Sequence, residues 1–395
     1  MAAVSLLRGP AALALACALL SACHPAQDAA PAAPPAAATP APPVADAADR
    51  EPDESAEHDP LLSEANIPHA VVDEAFVTPS MPADNLDSPA VWEAPDGKRW
   101  VITTAKKTGE LVVFDGDTGE RLRTVGGKGA APGQLDRPNG IAVVGDLALV
   151  VERDNHRVQA FSLPAFKTVA VFGAAELKKP YGLWAHEKDG GIEVIVSDNY
   201  MLGADEETVP PLADLGQRFR RYQLARQGDA WKATLTQTFG DTTQAGAIRV
   251  AESVFGDPAN DRLLLAEEDV PAGTRLREYR LSDGTYAGKD IGADLYKAQA
   301  EGIALLACQD GSGYWIGTDQ FKDRSLFHVF DRKTLAPVGA FSGKVTANTD
   351  GVWMDARADA RFPQGVLYAL HDDQAVAAFD WRDIAKMLKL KACAP

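Results

Sequence analysis

The sequence predicts an all-β fold, a six-bladed β-propeller behind a disordered N-terminal linker, and three observations carry that expectation. A short pattern recurs six times: a small or turn residue leads into Gly-apolar-apolar, an apolar strand ending in acidic residues follows, and an apolar or aromatic strand comes next. The repeats begin near 88, 137, 179, 246, 300 and 348, close to the roughly 40–50-residue period of propeller blades. No long helical pattern separates the strands, which excludes an α/β fold.

The elements follow in order. Arg8 and the apolar stretch Ala11 to Leu20 read as an export signal, too short to span a bilayer. It ends in Leu20-Ser21-Ala22-Cys23, which resembles a bacterial lipobox, so 1–22 is expected to be removed and Cys23 lipidated. By resemblance to Gram-negative lipoproteins, His24 at the next position implies the outer membrane over inner-membrane retention, with a periplasmic form as the other outcome. Residues 23–64 are rich in Ala, Pro and acids, and cannot bury enough apolar surface to offset their ordering entropy. They read as a semi-stiff spacer. Residues 65–395 read as one propeller. Trp100 to Thr104, Leu111 to Phe114 and Arg121 to Val125 give the first unit its strands, with the hairpin turn Asp115-Gly116-Asp117-Thr118-Gly119 between the last two. Leu147 to Val151, Val158 to Phe161 and Thr168 to Phe172 repeat this in the second, and Tyr314 to Gly317, Leu326 to Phe330 and Pro337 to Phe341 in the fifth. The third unit carries an acidic insertion, Met201 to Gln217, and Trp381 to Lys389 is the one credible helix.

Composition narrows the function. The 395 residues carry a net charge of −17 and a pI near 4.9, which argues against nucleic acid and against a polybasic membrane contact. Membrane attachment is therefore expected through the N-terminal lipid alone, and the chain is expected to be monomeric. A polyanionic ligand needs cations to mediate its approach. Of the four cysteines, Cys17 leaves with the signal and Cys23 takes the lipid. Cys308 and Cys393 remain, and either a disulfide or a buried Cys308 with a free Cys393 fits the sequence. No His/Cys grouping points to zinc.

Radial repetition brings the same position of every unit to one central channel. Acids at unit starts are Asp87, Glu252, Glu301 and Asp350. Those at second-strand ends are Glu152, Asp198, Glu267, Glu268, Asp269, Asp319, Asp372 and Asp373. Taken singly, each reads as a turn carboxylate or a solvated rim charge. Taken together, carboxylates in a narrow channel repel one another and recruit protons or hard cations, and oxygen donors suit calcium. Lys106 and Arg153 stand among the acids, where a fixed positive charge serves either charge balance or an anionic ligand. Tyr181 and His186 in the third unit are candidate substrate-facing residues, although a strand-end polar role also accounts for His186.

The ordered set Asp87-Ser88-Pro89-Ala90-Val91-Trp92, Val101 to Gly109, Leu265-Ala266-Glu267-Glu268-Asp269, Ala300-Glu301-Gly302-Ile303, Asn348 to Val352 and Phe362 to Leu367 resembles the β-propeller phytases across about 84 to 385. The resemblance implies a six-bladed propeller that binds calcium and is a phosphoric monoester hydrolase of 3-phytase type, releasing phosphate from inositol hexakisphosphate. It implies metal ligation by Asp87, Glu252, Glu268, Glu301 and Asp350, and phosphate contacts by Lys106 and Arg153. Lys106, Arg153, Glu268 and Glu301 would be catalytic, with in-line attack by a calcium-activated water. The chain departs from the family's pattern at Ser88, Gln299 and Lys344, where further acids are expected, and fewer acids mean fewer or weaker calcium sites. A second resemblance, of Asp136 to Phe161 to an NHL repeat, supports the propeller without specifying chemistry. Two alternatives stay open: a non-catalytic NHL-like binding module at the outer membrane, and a calcium-dependent lactonase-type propeller with a single cage of acids and Asn.

Overall fold

Apolar runs such as Leu147-Ala148-Leu149-Val150-Val151 are too continuous for a sheet with one wet face. The computed structural model, which describes residues 60–393 apart from 205 and 207, shows why. Each sheet is sandwiched between two others, so both faces of its middle strands are buried. Ala148 and Val150 pack with Ile102 and Val113 of the preceding sheet. Leu147, Leu149 and Val151 pack with Val194, Val196 and Tyr222 of the following one.

Six sheets of antiparallel neighbours are built this way, the fold class expected from the repeat. Blade one comprises Leu86–Glu93, Arg99–Ala105, Glu110–Asp115 and Arg121–Gly126. Blades two, three, four and five run from Pro138 to Phe172, Pro180 to Phe239, Val254 to Ile291 and Ala300 to Ser342. Blade six takes Val352–Asp355, Val366–His371 and Ala375–Asp380 from the C-terminal part and its outer strand, Phe76–Val77, from the N-terminal part. That exchange closes the ring and leaves no open join between the first and last blades. Just upstream, Ala70–Val71 pairs in parallel with Pro337–Ser342 on the edge of blade five.

The fourth repeat begins later than the sequence pattern implies. Gly246-Ala247-Ile248 imitates the leading motif, but Ile248 packs into the core between blades three and four, and the innermost strand of blade four starts at Val254. The leading pair there is Glu252-Ser253, with serine where most blades have glycine. The folded part also reaches back into the stretch read as linker. Leu62 is buried, and the N–H groups of Leu62 and Ser63 donate to Asp323. The signal segment, Cys23 and residues up to 59 lie outside the described residues.

The C-terminal helix Trp381–Leu388 buries Trp381 and Ile384 against Val72 and Phe341. Asp380 caps it by accepting the Arg382 N–H at 2.9 Å. Beyond the helix a disulfide joins Cys308 of blade five to Cys393, which settles the alternative left open by the sequence. Among the described residues no helix is long and apolar enough to cross a membrane.

Candidate metal centre

The innermost strands of blades one, two, three and five each begin with a β-bulge, seen as a register shift between Leu86 and Pro89, Pro138 and Ile141, Pro180 and Leu183, and Ala300 and Ile303. A bulge adds a residue to one strand and re-aims a side chain. The re-aimed positions are Asp87, Asn139, Tyr181 and Glu301. With Glu252 and Asp350 at the same phase of blades four and six, they form one residue per blade around the channel mouth. The residue after each is Ser or Gly, and the close approach of neighbouring blades explains the glycines. A Cβ on Gly182 would stand 2.1 Å from the Glu252 carbonyl oxygen, and one on Gly302 would stand 2.5 Å from that of Asp350.

This ring encloses a cavity of about 30 Å³ lined by Asp87, Tyr181, Glu252, Glu301 and Asp350, with the neighbouring serines and glycines. Below it the channel widens to a cavity of about 230 Å³ walled by apolar side chains that include Ile141, Leu183, Val254 and Trp353. No charged side chain lines this lower cavity among the described residues.

The rim is electrostatically uneven. On one side, Glu252, Glu268 and Glu301 are all buried, and one carboxylate oxygen of each lies within 4.8 Å of those of the others. Asn199 donates to Glu252 Oε1 at 2.8 Å, and the Ser253 N–H donates to Glu268 Oε1 at 3.3 Å. On the other side, the buried Lys106 reaches Asp87 Oδ1 at 3.2 Å and Asp350 Oδ2 at 3.6 Å. Ser88 Oγ donates to Asp87 Oδ2 at 2.8 Å, Asn139 Nδ2 to Asp87 Oδ1 at 3.4 Å, and Gln320 Nε2 to Asp350 Oδ1. Nearby, burial pushes the Asp373 carboxyl upward, against the pull of Lys106 and Lys322.

Three buried carboxylates this close are a costly arrangement without positive charge, and hard anionic oxygens select hard cations. The donor set fits calcium or a similar divalent ion. Glu252, Glu268 and Glu301 are the residues that could hold it.

Four of the acids at second-strand ends have a different task. Asp198 accepts the N–H groups of Lys178 and Lys179 at 3.1 and 2.7 Å. Glu267 accepts those of Arg249 and Val250 at 3.0 and 3.2 Å, and Asp319 those of Lys297 and Ala298 at 2.9 and 2.8 Å. Glu152 accepts that of Asp136 at 3.2 Å. All four carboxylates are fully buried, and each pins the loop leading into its own blade. Burial raises the pKa of Asp198 and Glu267, with the backbone donors pulling the other way. In blade six the same position is His371, whose Nδ1 accepts from the Ala347 N–H at 3.2 Å.

The comparisons with known proteins bear on the fold alone. No known family and no curated protein sequence matches the chain. Among solved structures it is similar to the calcium-binding protein regucalcin of Agrobacterium tumefaciens, at 11% identity over 79% of this chain and 95% of that one, with a TM-score of 0.47. It is also similar to hydrazine synthase of Kuenenia stuttgartiensis, at 12% identity over 80% and 81%, with a TM-score of 0.44.

Of the residues singled out in the sequence, the structure gathers Asp87, Lys106, Tyr181, Glu252, Glu268, Glu301 and Asp350 at the rim. It sets two apart. Arg153 pairs with Asp154 at 3.2 Å and with Glu206 at 3.1 Å, and does not line the rim cavity. His186 lies four residues beyond Gly182 along its strand, stacked on Trp184 and bonded to Glu193 at 3.2 Å. Lys344, where a further acid was expected, is exposed and pairs with Asp73 at 2.7 Å. Asn139, Asn199 and Gln320 were missed as site residues. Their repeat phase was the available signal, but neutral amides did not draw attention to it.

Proposed function

We propose that the rim is a calcium centre and that the protein is a calcium-dependent hydrolase of small phosphomonoesters. The observation that carries the metal assignment is the buried Glu252, Glu268 and Glu301 cluster. The phosphate assignment rests on the resemblance to the β-propeller phytases and on Lys106, the fixed cation beside the cluster. Calcium, when bound, would neutralise phosphoryl oxygens and make water a better nucleophile. The chain's own residues bind and orient. Glu252, Glu268 and Glu301 hold the cation, Asn199 fixes the Glu252 carboxylate, and the Ser253 N–H fixes that of Glu268. The Lys106 ammonium faces an anionic ligand from across the mouth, and the apolar channel below keeps the ligand at the rim. Arg153 takes no part in this reading. The Cys308–Cys393 bond supports an oxidising compartment, and with it an exported form anchored through Cys23.

A lactonase-type reaction is the second reading, favoured by one observation: the acids gather into a single cage supported by Asn199. Phosphate release from inositol hexakisphosphate and p-nitrophenyl phosphate, and ring opening of a simple γ-lactone, separate the two. Each is measured with calcium and with chelator. Calcium-dependent phosphate release supports the first reading; its absence from folded protein overturns it, and lactone opening then supports the second.

A further inference from the structure

We propose that the channel below the rim is a binding site for a small uncharged aromatic molecule, seated against Trp353. The inference goes beyond the metal-centre reading and does not depend on it. In each blade the residue after the rim position is Ser or Gly, and the next is apolar: Pro89, Ile141, Leu183, Val254, Ile303 and Val352. Each blade thus contributes one buried apolar side chain to a collar, and all six line the cavity of about 230 Å³. The rim cavity above it holds about 30 Å³, room for about one water molecule. Ser88, Gly140, Gly182 and Ser253 line both cavities, so the small space sits directly on the larger one. The larger cavity runs on to Val143 and Ala185, near the far ends of the strands Pro138–Val144 and Pro180–Lys188. A ligand bigger than water therefore enters from the mouth away from the rim.

Below the collar the wall is aromatic. Trp353 of blade six packs against the apolar clusters between blades six and one, one and two, and two and three. Only a side chain extending across the channel reaches all three. Its ring is nevertheless only half-buried, as is that of Phe255 in blade four. Trp184 lies beside Phe255, with ring centroids 6.3 Å apart and planes tilted by 50°, and all three rings line the cavity. A large apolar ring left partly open to water is unfavourable, and an apolar partner that covers it recovers the loss. Aromatic rings pack best against another ring, offset or edge-on. An apolar cavity of roughly 150 Å³ stays dry and takes up benzene, so the larger space here accommodates a single ring. No charged side chain lines it among the described residues, and a net charge of −17 disfavours anions, so the ligand is neutral. Ser88, Ser253 and the strand edges facing the channel offer a few polar groups, which suits a ring carrying one N–H or O–H.

The test is titration calorimetry of the whole protein with indole, in calcium and in chelator, with circular dichroism followed in parallel. Wild type is expected to bind one indole saturably and equally under both conditions. Ala185 is half-buried on the cavity wall, so Ala185→Phe fills the space and is expected to abolish binding. Trp353→Ala removes one ring contact and is expected to weaken binding by about two- to tenfold. Trp231→Ala, on the outer strand of blade three and outside this cavity, should leave it unchanged. No saturable binding by folded wild type overturns the site, whatever calcium titration of the same samples shows. Binding that survives Ala185→Phe, or that falls with Trp231→Ala instead of Trp353→Ala, overturns its placement. Should a variant fail to fold, wild-type crystals pressurised with xenon decide the matter: a xenon atom beside Trp353 upholds the site, and an empty channel overturns it.

Discussion

Asn199 links two blades at the rim: its side-chain amide donates to Glu252 Oε1 at 2.8 Å, while its Oδ1 accepts the Ala251 N–H at 3.1 Å. It follows the second strand of blade three, Gly191–Asp198, and orients the Glu252 carboxylate of the candidate metal centre in blade four. Partners of this kind commonly contribute about 10–100-fold to metal affinity. Asn199→Ala is therefore expected to weaken calcium binding by about that factor, with the circular dichroism spectrum unchanged. Calorimetric titration reads it, and an unaltered affinity would remove Asn199 from the site.

Glu267 and Glu268 are neighbours in sequence with separate roles. Alternation along the strand end turns Glu267 back onto the loop of its own blade and leaves Glu268 for the rim. Glu267→Ala leaves the Arg249 and Val250 N–H groups without their acceptor and removes the ion pair to Arg249 at 3.2 Å. Breaking a buried pair from one side typically costs about 3–5 kcal/mol. Urea denaturation is expected to show a loss of that order. Glu268→Gln should change stability far less while lowering calcium affinity. Equal effects of the two variants on both readouts would contradict the division of labour.

Acid should find a weak point away from the rim. Burial penalises the charged Glu193, but hydrogen bonds from His186, Lys188 and Arg221 outweigh it and hold its carboxyl at about 2. A depressed carboxyl contributes stability above its unfolded value, near 4.5, and loses it as pH falls toward 2. Allowing for solvent screening, the contribution is on the order of 2 kcal/mol. Glu193→Gln is expected to be less stable than wild type by about that amount near pH 7, and the two should converge as pH falls from about 5 to 2. Parallel stability curves across that window would show that Glu193 is not the group responsible.

The rim shows what the sequence could and could not reveal. Asp87, Glu301 and Asp350 were legible because each precedes the repeat's Ser or Gly in a recognisable unit. In blade four the decoy Gly246-Ala247-Ile248 matched the pattern better than Glu252-Ser253-Val254, so the unit was placed too early although Glu252 itself was noticed. Position along the repeat also selected Arg153, which follows Glu152 as Lys106 follows Ala105. In the structure Arg153 pairs with Glu206, in an insertion that has no counterpart in other blades and hence no phase to read. Buried acids such as Asp198 and Asp319 resembled rim ligands in sequence. Only the backbone N–H groups they accept, set by loops about twenty residues upstream, reveal them as structural.

The C-terminal tail offers the last expectation. The Cys308–Cys393 bond spans a sequence separation of 85 and ties the segment after the helix Trp381–Leu388 to blade five. Its main effect is on the unfolded chain, which loses the freedom of a long open loop. The loop-closure relation gives about 4–5 kcal/mol for a loop of this size. The tail has another hold, since the Lys391 N–H donates to the Tyr314 hydroxyl at 2.9 Å and the helix buries Trp381 and Ile384. Cys393→Ser should therefore keep the native fold and its calcium stoichiometry while unfolding at lower urea concentration. Reductant should lower the wild-type midpoint to that of the variant and leave the variant itself unmoved. A variant as stable as oxidised wild type would show that the hydrophobic docking of the helix alone secures the C-terminal segment.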